Sequence, residues 1–266
     1  MDYLHGYKNE EQDRLEKQAS FLQESIFKNV TLENYSNLLE LGCGTGAQSQ
    51  IILKRYPKIK ITGLDISSLQ IQKAKNNFSN TSNSNRINFK KISINKIPFD
   101  QQTFDAAFIC WVLEHSSNPE ATLREVYRVL QKNAVIYISE VFNQSFYLST
   151  ITPSIKEYWN KFNQLQQQHN GHPNIGIELG SLLKTCGFNN IKTYPLIIHV
   201  NNSDAQKRMK ALNYWKELLL SAKESLLENK LIDNNLVANF KNDFDSLADD
   251  PKTVMFFCAF QARANK

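Results

Sequence analysis

The sequence predicts a doubly wound α/β fold, and three observations carry that reading. The apolar run Leu38-Leu39-Glu40-Leu41 enters a loop with glycines at 42, 44 and 46, and residues 48–56 leave it as an amphipathic stretch. Short apolar runs then alternate with helix-patterned segments as far as residue 139. A second run, Lys60-Ile61-Thr62-Gly63-Leu64-Asp65, ends in a carboxylate 19 positions after Gly46. That is the order of a buried strand, a tight glycine turn, a helix start and an acidic residue near ribose-binding distance. Glycines allow the sharp turn with φ > 0 and let a ligand approach the backbone. The helix start presents unpaired N–H groups to an anionic part of that ligand.

Composition bounds the class. The chain has 266 residues, 41% of them hydrophobic and 21% charged, ordinary values for a globular protein of one large domain or one domain with an insertion. The net charge of +5 is spread out, with no compact Lys/Arg block, so a solvated surface outweighs nucleic-acid binding. Cys43, Cys110, Cys186 and Cys258 are far apart, which suggests neither a zinc site nor a disulfide framework. No apolar run nears the ~18 residues of a membrane span, and residues 1–18 are too polar for a signal segment. A cytoplasmic protein is expected.

In chain order, residues 10–27 carry Leu15, Ala19, Leu22, Ile26 and Phe27 at helical spacing, behind a polar opening with Tyr3, His5 and Tyr7. That opening reads as a frayed end or as a lid over the glycine loop. Residues 68–78 form a helix, 87–92 a third strand and 104–110 a fourth, nearly all apolar as befits a parallel sheet covered on both faces. Asn118-Pro119 opens a helix reaching Leu130, and residues 134–139 form a fifth strand. In such sheets ligands bind at the carboxyl ends of the strands. Residues 42–46, Asp65, Ser93 and residues 110–115 therefore share one rim.

Beyond Glu140 the pattern changes. Residues 146–168 read as helical, residues 177–186 as a helix stopped by Gly187, and residues 191–200 as a strand. Residues 205–230 form one long amphipathic helix, residues 234–247 another, and residues 254–262 a final strand. The two helices within about 201–251 stand as an insertion between the last two strands.

The glycines alone leave the cofactor open, because Gly42-x-Gly44-x-x-Ala47 also satisfies a dinucleotide fingerprint. The surrounding residues decide it. Glu40-Leu41-Gly42-Cys43-Gly44-Thr45-Gly46 resembles the E-x-G-x-G-x-G motif of class I S-adenosylmethionine-dependent methyltransferases. Gly63-Leu64-Asp65-Ile66-Ser67 resembles that family's acidic ribose loop, and Ile97-Pro98-Phe99 with Thr103-Phe104-Asp105 its L-P-F…F-D segment. Leu113-Glu114-His115, Asn118-Pro119 and Arg128-Val129-Leu130 resemble its L-x-H…D-P…R-V-L run. Together these cover roughly residues 36–140. Ser93-Ile94 stand where the family often has Asp before an adenine contact, and Gln131-Lys132-Asn133-Ala134 replaces its K-P-G-G turn. The opening from Tyr3 to Gln18 is similar to the H-G-Y…E-x-x-R-L-x-x-Q-A opening of some microbial members, which favours the lid.

The resemblance implies a Rossmann-like seven-stranded sheet with an antiparallel last strand, helices on both faces and a helical cap in the C-terminal half. It divides the chain into a lid and helix (1–35), a cofactor-binding core (36–140) and a part completing the sheet (141–266). It implies S-adenosyl-L-methionine as cofactor, S-adenosyl-L-homocysteine as product, no metal, and a small-molecule acceptor before a protein or nucleic acid. Gly42, Cys43 and Gly44 would contact the methionine part, and Asp65 and Ile66 the ribose side. Ser93 and Ile94 would flank adenine, while Cys110, Trp111 and Val112 pass near the sulfonium or amino group. Tyr7, Arg14 and Gln48 complete the expected cofactor contacts, and Glu40 braces the loop or attracts the amino end. If the acceptor must lose a proton, His115 and Glu114 stand first by position. His5, His169, His172 and His199 are less well placed by sequence, and most of them are expected to be structural. Trp111, Tyr147, Trp159 and Trp215 are candidates for an apolar acceptor pocket, although core packing is the commoner fate of each.

Overall fold

The computed structural model describes residues 4–6, 9–94 and 96–266. The chain runs through α1 (Asn9–Phe27), β1 (Asn37–Leu41), α2 (Ala47–Arg55), β2 (Lys60–Asp65), α3 (Ser68–Phe78), β3 (Ile87–Lys91) and β4 (Phe104–Cys110). It continues with α4 (Pro119–Val129), β5 (Leu130–Val141), β6 (Tyr147–Leu148), α5 (Pro153–Gln168), α6 (Leu179–Thr185) and β7 (Asn189–Val200). The last elements are α7 (Ala205–Ser221), α8 (Lys223–Glu228), α9 (Asn234–Asp249) and β8 (Met255–Asn265).

Parallel pairing joins β3, β2, β1, β4 and β5 in that order. The last strand, β8, lies antiparallel between β5 and β7, as expected. Its start also pairs with the two-residue β6, an eighth strand that the sequence pattern did not separate from a helix. Successive side chains of each strand point to opposite faces, and the core divides accordingly. Leu38, Phe108 and Tyr137 pack on the face covered by α1, α2, α3, α5, α7 and α9. Leu39, Ile109, Ile136 and Ile138 pack on the face covered by α4 and α6. Tyr137, wholly buried, spends its hydroxyl on Thr31 Oγ1 at 2.9 Å, which anchors the chain between α1 and β1.

Two helix boundaries differ from expectation. α5 begins at Pro153 and not at residue 146. Thr152 caps it by accepting from the N–H of Ile155, and Pro153 occupies the first turn, where no N–H is needed. The single helix expected over 205–230 is two, because the N–H of Ala222 bonds back to Leu219 three residues earlier and tightens the turn. The buried Arg208 ties α7 to the end of α9, its guanidinium donating to the carbonyls of Leu247, Ala248 and Asp250. Those carbonyls have no partner within the helix, so the cation meets a site of partial negative charge.

Candidate functional site

The glycine loop occupies the turn between β1 and α2, with φ of 64° at Gly42, 51° at Gly44 and 81° at Gly46. A Cβ at Gly42 would stand 2.3 Å from Cγ2 of Val112, so this glycine also lets the end of β4 close over the loop. Two carboxylates hold the turn. Asp65, at the end of β2, accepts from the Gly44 N–H at 3.0 Å and the Ser67 N–H at 2.8 Å. Burial raises its pKa, against those backbone bonds. Glu40 lies behind the loop, 2% exposed, and accepts from the Ser49 hydroxyl on α2. Burial pushes its carboxyl up to about 8. Glu40 thus clamps β1 to α2 and does not face the cleft.

The opposite wall comes from the end of β4. Trp111 adopts φ 59°, rare for a bulky residue, and its backbone N–H donates to the Ser139 carbonyl on β5 at 2.9 Å. The following turn is capped by Glu140, whose carboxylate accepts from the N–H groups of Val112, Leu113 and Glu114 at 3.0, 2.7 and 3.2 Å. Burial and the adjacent Glu114 carboxylate push Glu140 up to about 8 despite those three donors. The sequence reading missed Glu140. The signal was available, because it stands one residue before the end of a central strand, much as Asp65 ends β2.

Between these walls lies a cleft of about 390 Å³. Gly42, Cys43, Gly44, Gln48, Asp65, Ile66, Ser93, Ile94, Cys110, Trp111, Val112 and His115 all line it. Thr45, within the expected rim, lines it as well, as do Gln70, Ser116, Gln166 and His169, which were not expected from sequence. The end of α5 arrives there because the His172 N–H donates to the Glu114 carbonyl at 2.7 Å, a contact no local pattern announces. Burial raises the thiol pKa of Cys43 and Cys110, which leaves neither as a thiolate. Tyr7, and with it Tyr3, lies outside the described residues. Arg14 does not line the cleft; its guanidinium donates to both carboxylate oxygens of Glu11 at 2.6 and 2.7 Å and to Gln18 at 2.7 Å.

A second, smaller chamber of about 70 Å³ adjoins the cleft, and Leu15, Gln18, Trp111 and His115 line both. Its other walls are mainly apolar, among them Leu22, Trp159, Phe162, Trp215, Leu218 and Phe257. Arg14, Glu114, His5 and Tyr214 also face it. His115 Nε2 stands 3.9 Å from Glu114 Oε1, whose other oxygen accepts from Gln166 Nε2 at 2.7 Å. His5, less well placed by sequence than His115, meets the His115 ring edge-on at 6.2 Å and hydrogen-bonds Ser221 on α7 at 2.5 Å. Tyr147, expected as a pocket candidate, is 55% exposed on β6 and lines neither space.

The reversed final strand, the glycine turn and the acid ending β2 define an α/β protein with a nucleotide-type cofactor cleft at the carboxyl ends of its strands. The cleft fits a ligand rich in hydrogen-bond donors, since Thr45 Oγ1, Gln48 Oε1 and Gln70 Oε1 are buried there without a partner. A profile of the family described as "Methyltransferase domain" matches residues 32–185, and the chain belongs to that family, the class I S-adenosylmethionine-dependent type. Membership decides against the dinucleotide reading of the glycines. Malonyl-acyl-carrier-protein O-methyltransferase 1 of Ilyobacter polytropus is 31% identical over 147 residues, 53% of each chain. The chain thus spans about half the length of that relative. The cyclase SpnF shares the fold with a TM-score of 0.60 and 20% identity, covering 92% of this chain and 82% of that one. Phosphoethanolamine N-methyltransferase 2 of Haemonchus contortus, solved with S-adenosylhomocysteine, shares it at 0.55 and 16% identity, covering 96% and 52%.

Proposed function

We propose that the protein transfers a methyl group from S-adenosylmethionine to a small-molecule acceptor seated in the inner chamber. The observation that carries this reading is the shared wall: Leu15, Gln18, Trp111 and His115 line both the cofactor cleft and the chamber. When bound, the cofactor supplies an electrophilic methyl on a sulfonium, whose departure needs no proton. The chain's own task is then to hold donor and acceptor in line, for which effective molarities of ~10⁵–10⁸ M are attainable.

In this reading Asp65 holds ribose hydroxyls, and Ile66, Ser93 and Ile94 form the adenine side. The backbone of Gly42, Cys43 and Gly44 and the unpartnered carbonyl oxygens of Gln48 and Gln70 receive donors from the ligand. Cys110, Trp111 and Val112 form the wall next to the chamber. His115 takes the proton an O–H or N–H acceptor must lose, and Glu114, 3.9 Å away, stabilises the charge that results. Residues 1–35 form the lid-bearing unit, 36–140 the cofactor core, and 141–266 the part that shapes the acceptor side. The chamber's small size and mainly apolar walls favour a small molecule over a protein or nucleic acid. Free thiols at Cys43, Cys110, Cys186 and Cys258 support work in a reducing, cytoplasmic setting. Among the described residues no helix is long and apolar enough to cross a membrane.

Isothermal titration with S-adenosylhomocysteine and with NAD tests the cofactor, with micromolar binding expected for the first alone. Incubation with methyl-labelled S-adenosylmethionine and a metabolite extract tests transfer. Cofactor binding without any labelled small-molecule product would overturn the enzymatic reading.

A further inference from the structure

One carboxylate on the wall of the inner chamber has no cation bound to it among the described residues. Glu114, 8% exposed, lines this chamber and not the cofactor cleft. Its Oε2 accepts from the neutral Gln166 amide at 2.7 Å. Its Oε1 accepts no hydrogen bond from the described residues and keeps accessible surface, with His115 Nε2 3.9 Å away. A carboxylate offers about four acceptor positions, so this one can take further donors.

The other charges at the chamber do not cancel it. Arg14 also lines the space, but Glu11 binds its guanidinium through two hydrogen bonds of 2.6 and 2.7 Å. Burial, then Arg14 and His115, lower the pKa of His5, so its imidazole stays neutral near pH 7. The remaining walls are largely aromatic, among them Trp159, Phe162, Trp215 and Phe257. An anion entering here would lose its hydration and meet a like charge. A cation would lose its hydration too, but would gain a carboxylate among aromatic rings.

Resting on the methyl-transfer reading above, we propose that the acceptor is a small organic amine, entering as its ammonium and held by the Glu114 carboxylate. A neutral hydroxyl could donate to the same oxygen, but a hydrogen bond between two charged groups is roughly twice as strong. The volume of about 70 Å³ is roughly half the ~150 Å³ of an apolar cavity that accepts benzene. The enclosed part of the amine is therefore no larger than a small ring or a short branched chain. His115 lines both spaces and stands beside Glu114, so it takes one proton from the held ammonium at Nε2. The freed nitrogen pair forms the bond to the methyl carbon as the carbon–sulfur bond breaks towards sulfur. The product is again a cation, and the sulfur is left neutral.

The three tryptophans of the chain, Trp111, Trp159 and Trp215, all line this chamber, so intrinsic tryptophan emission reports its occupancy. Protein loaded with S-adenosylhomocysteine is titrated with cyclopentylammonium, cyclopentanol and cyclopentanecarboxylate. The ammonium is expected to give a saturable change, with the alcohol and the carboxylate at least about tenfold weaker. Glu114→Gln keeps the shape of the side chain and removes its charge. It should weaken the ammonium at least about tenfold and change the alcohol less than about twofold. Its melting temperature and its affinity for S-adenosylhomocysteine check the fold, and the ranking of probes by the parent protein stands as a test without it. An ammonium bound no tighter than the alcohol or the carboxylate, an ammonium affinity unchanged in Glu114→Gln, or no binding of any probe would overturn the inference and leave methyl transfer standing. Failure to bind S-adenosylhomocysteine at all would overturn the underlying reading instead.

Discussion

The backbone N–H of Gly44 donates to Oδ2 of Asp65 at 3.0 Å, joining the glycine loop to the carboxyl end of β2. The other oxygen accepts from Ser67, where α3 is about to begin. One side chain therefore braces the loop while lining the space where a ribose would lie.

Asp65→Ala should weaken S-adenosylhomocysteine binding about 10–100-fold, the range expected for charge-assisted hydrogen bonds together with a loosened loop. Asp65→Asn keeps an acceptor and should lose less. Isothermal titration of the three proteins checks this, and equal affinities would remove Asp65 from the cofactor site.

Gly42→Ala should destabilise the fold by about 1–3 kcal/mol and weaken cofactor binding. The new methyl would meet Val112 at 2.3 Å, on a residue with φ 64°. Urea unfolding and cofactor titration of the variant measure both effects. A variant that folds and binds like the parent would show that the end of β4 can retreat from the loop without consequence.

His115→Gln should slow methyl transfer about 10²–10⁴-fold if the acceptor's proton leaves through this imidazole. Its cofactor affinity should shift far less, because the imidazole is only one of many groups along the cleft. Label transfer at saturating S-adenosylmethionine, followed across pH, separates the two effects. Transfer at the parental rate would mean that positioning alone suffices.

Stability should fall as pH rises from about 5 to 8. Glu40 and Glu140 have their carboxyls raised from the usual 4.5 to about 8, Glu40 by burial and Glu140 by burial together with the neighbouring Glu114. In that window the folded state keeps protons that the unfolded state has released, so each group contributes a loss of up to ~1.4 kcal/mol per pH unit. Above about 8 both states are ionised and the loss is complete. Glu40→Gln mimics the protonated carboxyl and should flatten the profile by about one proton. Denaturant curves at pH 5, 6.5 and 8 decide it, and a slope identical to the parent's would show that Glu40 ionises normally.

Phe240→Ala should cost about 3–5 kcal/mol. Phe240 is fully buried and stacks on Tyr158 of α5 at 4.1 Å, joining the helices between β7 and β8 to the rest of the molecule. A single cooperative transition at lower denaturant is expected. A separate early transition, with the remainder unchanged, would mean that α7 to α9 fold as an independent unit.

The alternating half of the chain was legible because its signals are local. Each parallel strand is a short apolar run buried on both faces, and the residues that turn the chain at the rim follow directly. The start of α5 was misplaced because Tyr147 and Leu148 pair with Phe256 and Met255, far along the chain. Arg14 was expected against the cofactor, yet Glu11 and Gln18 on the same helix hold it towards the chamber. Cys110 and Val112 reach the cleft as spacing implied, whereas Gln166 and His169 arrive from α5 with no sequence signal.

By itself the sequence determined the order of strands, the glycine turn, the acid that ends β2 and the class of cofactor these serve. Those features depend on residues close together in the chain, where periodicity and turn chemistry act. Only the tertiary structure decided that three tryptophans and two histidines line one small chamber beside that cleft. Its walls come from α1, the turn after β4, α5, α7, β7 and β8, and no spacing rule reaches across elements that meet only when the core closes.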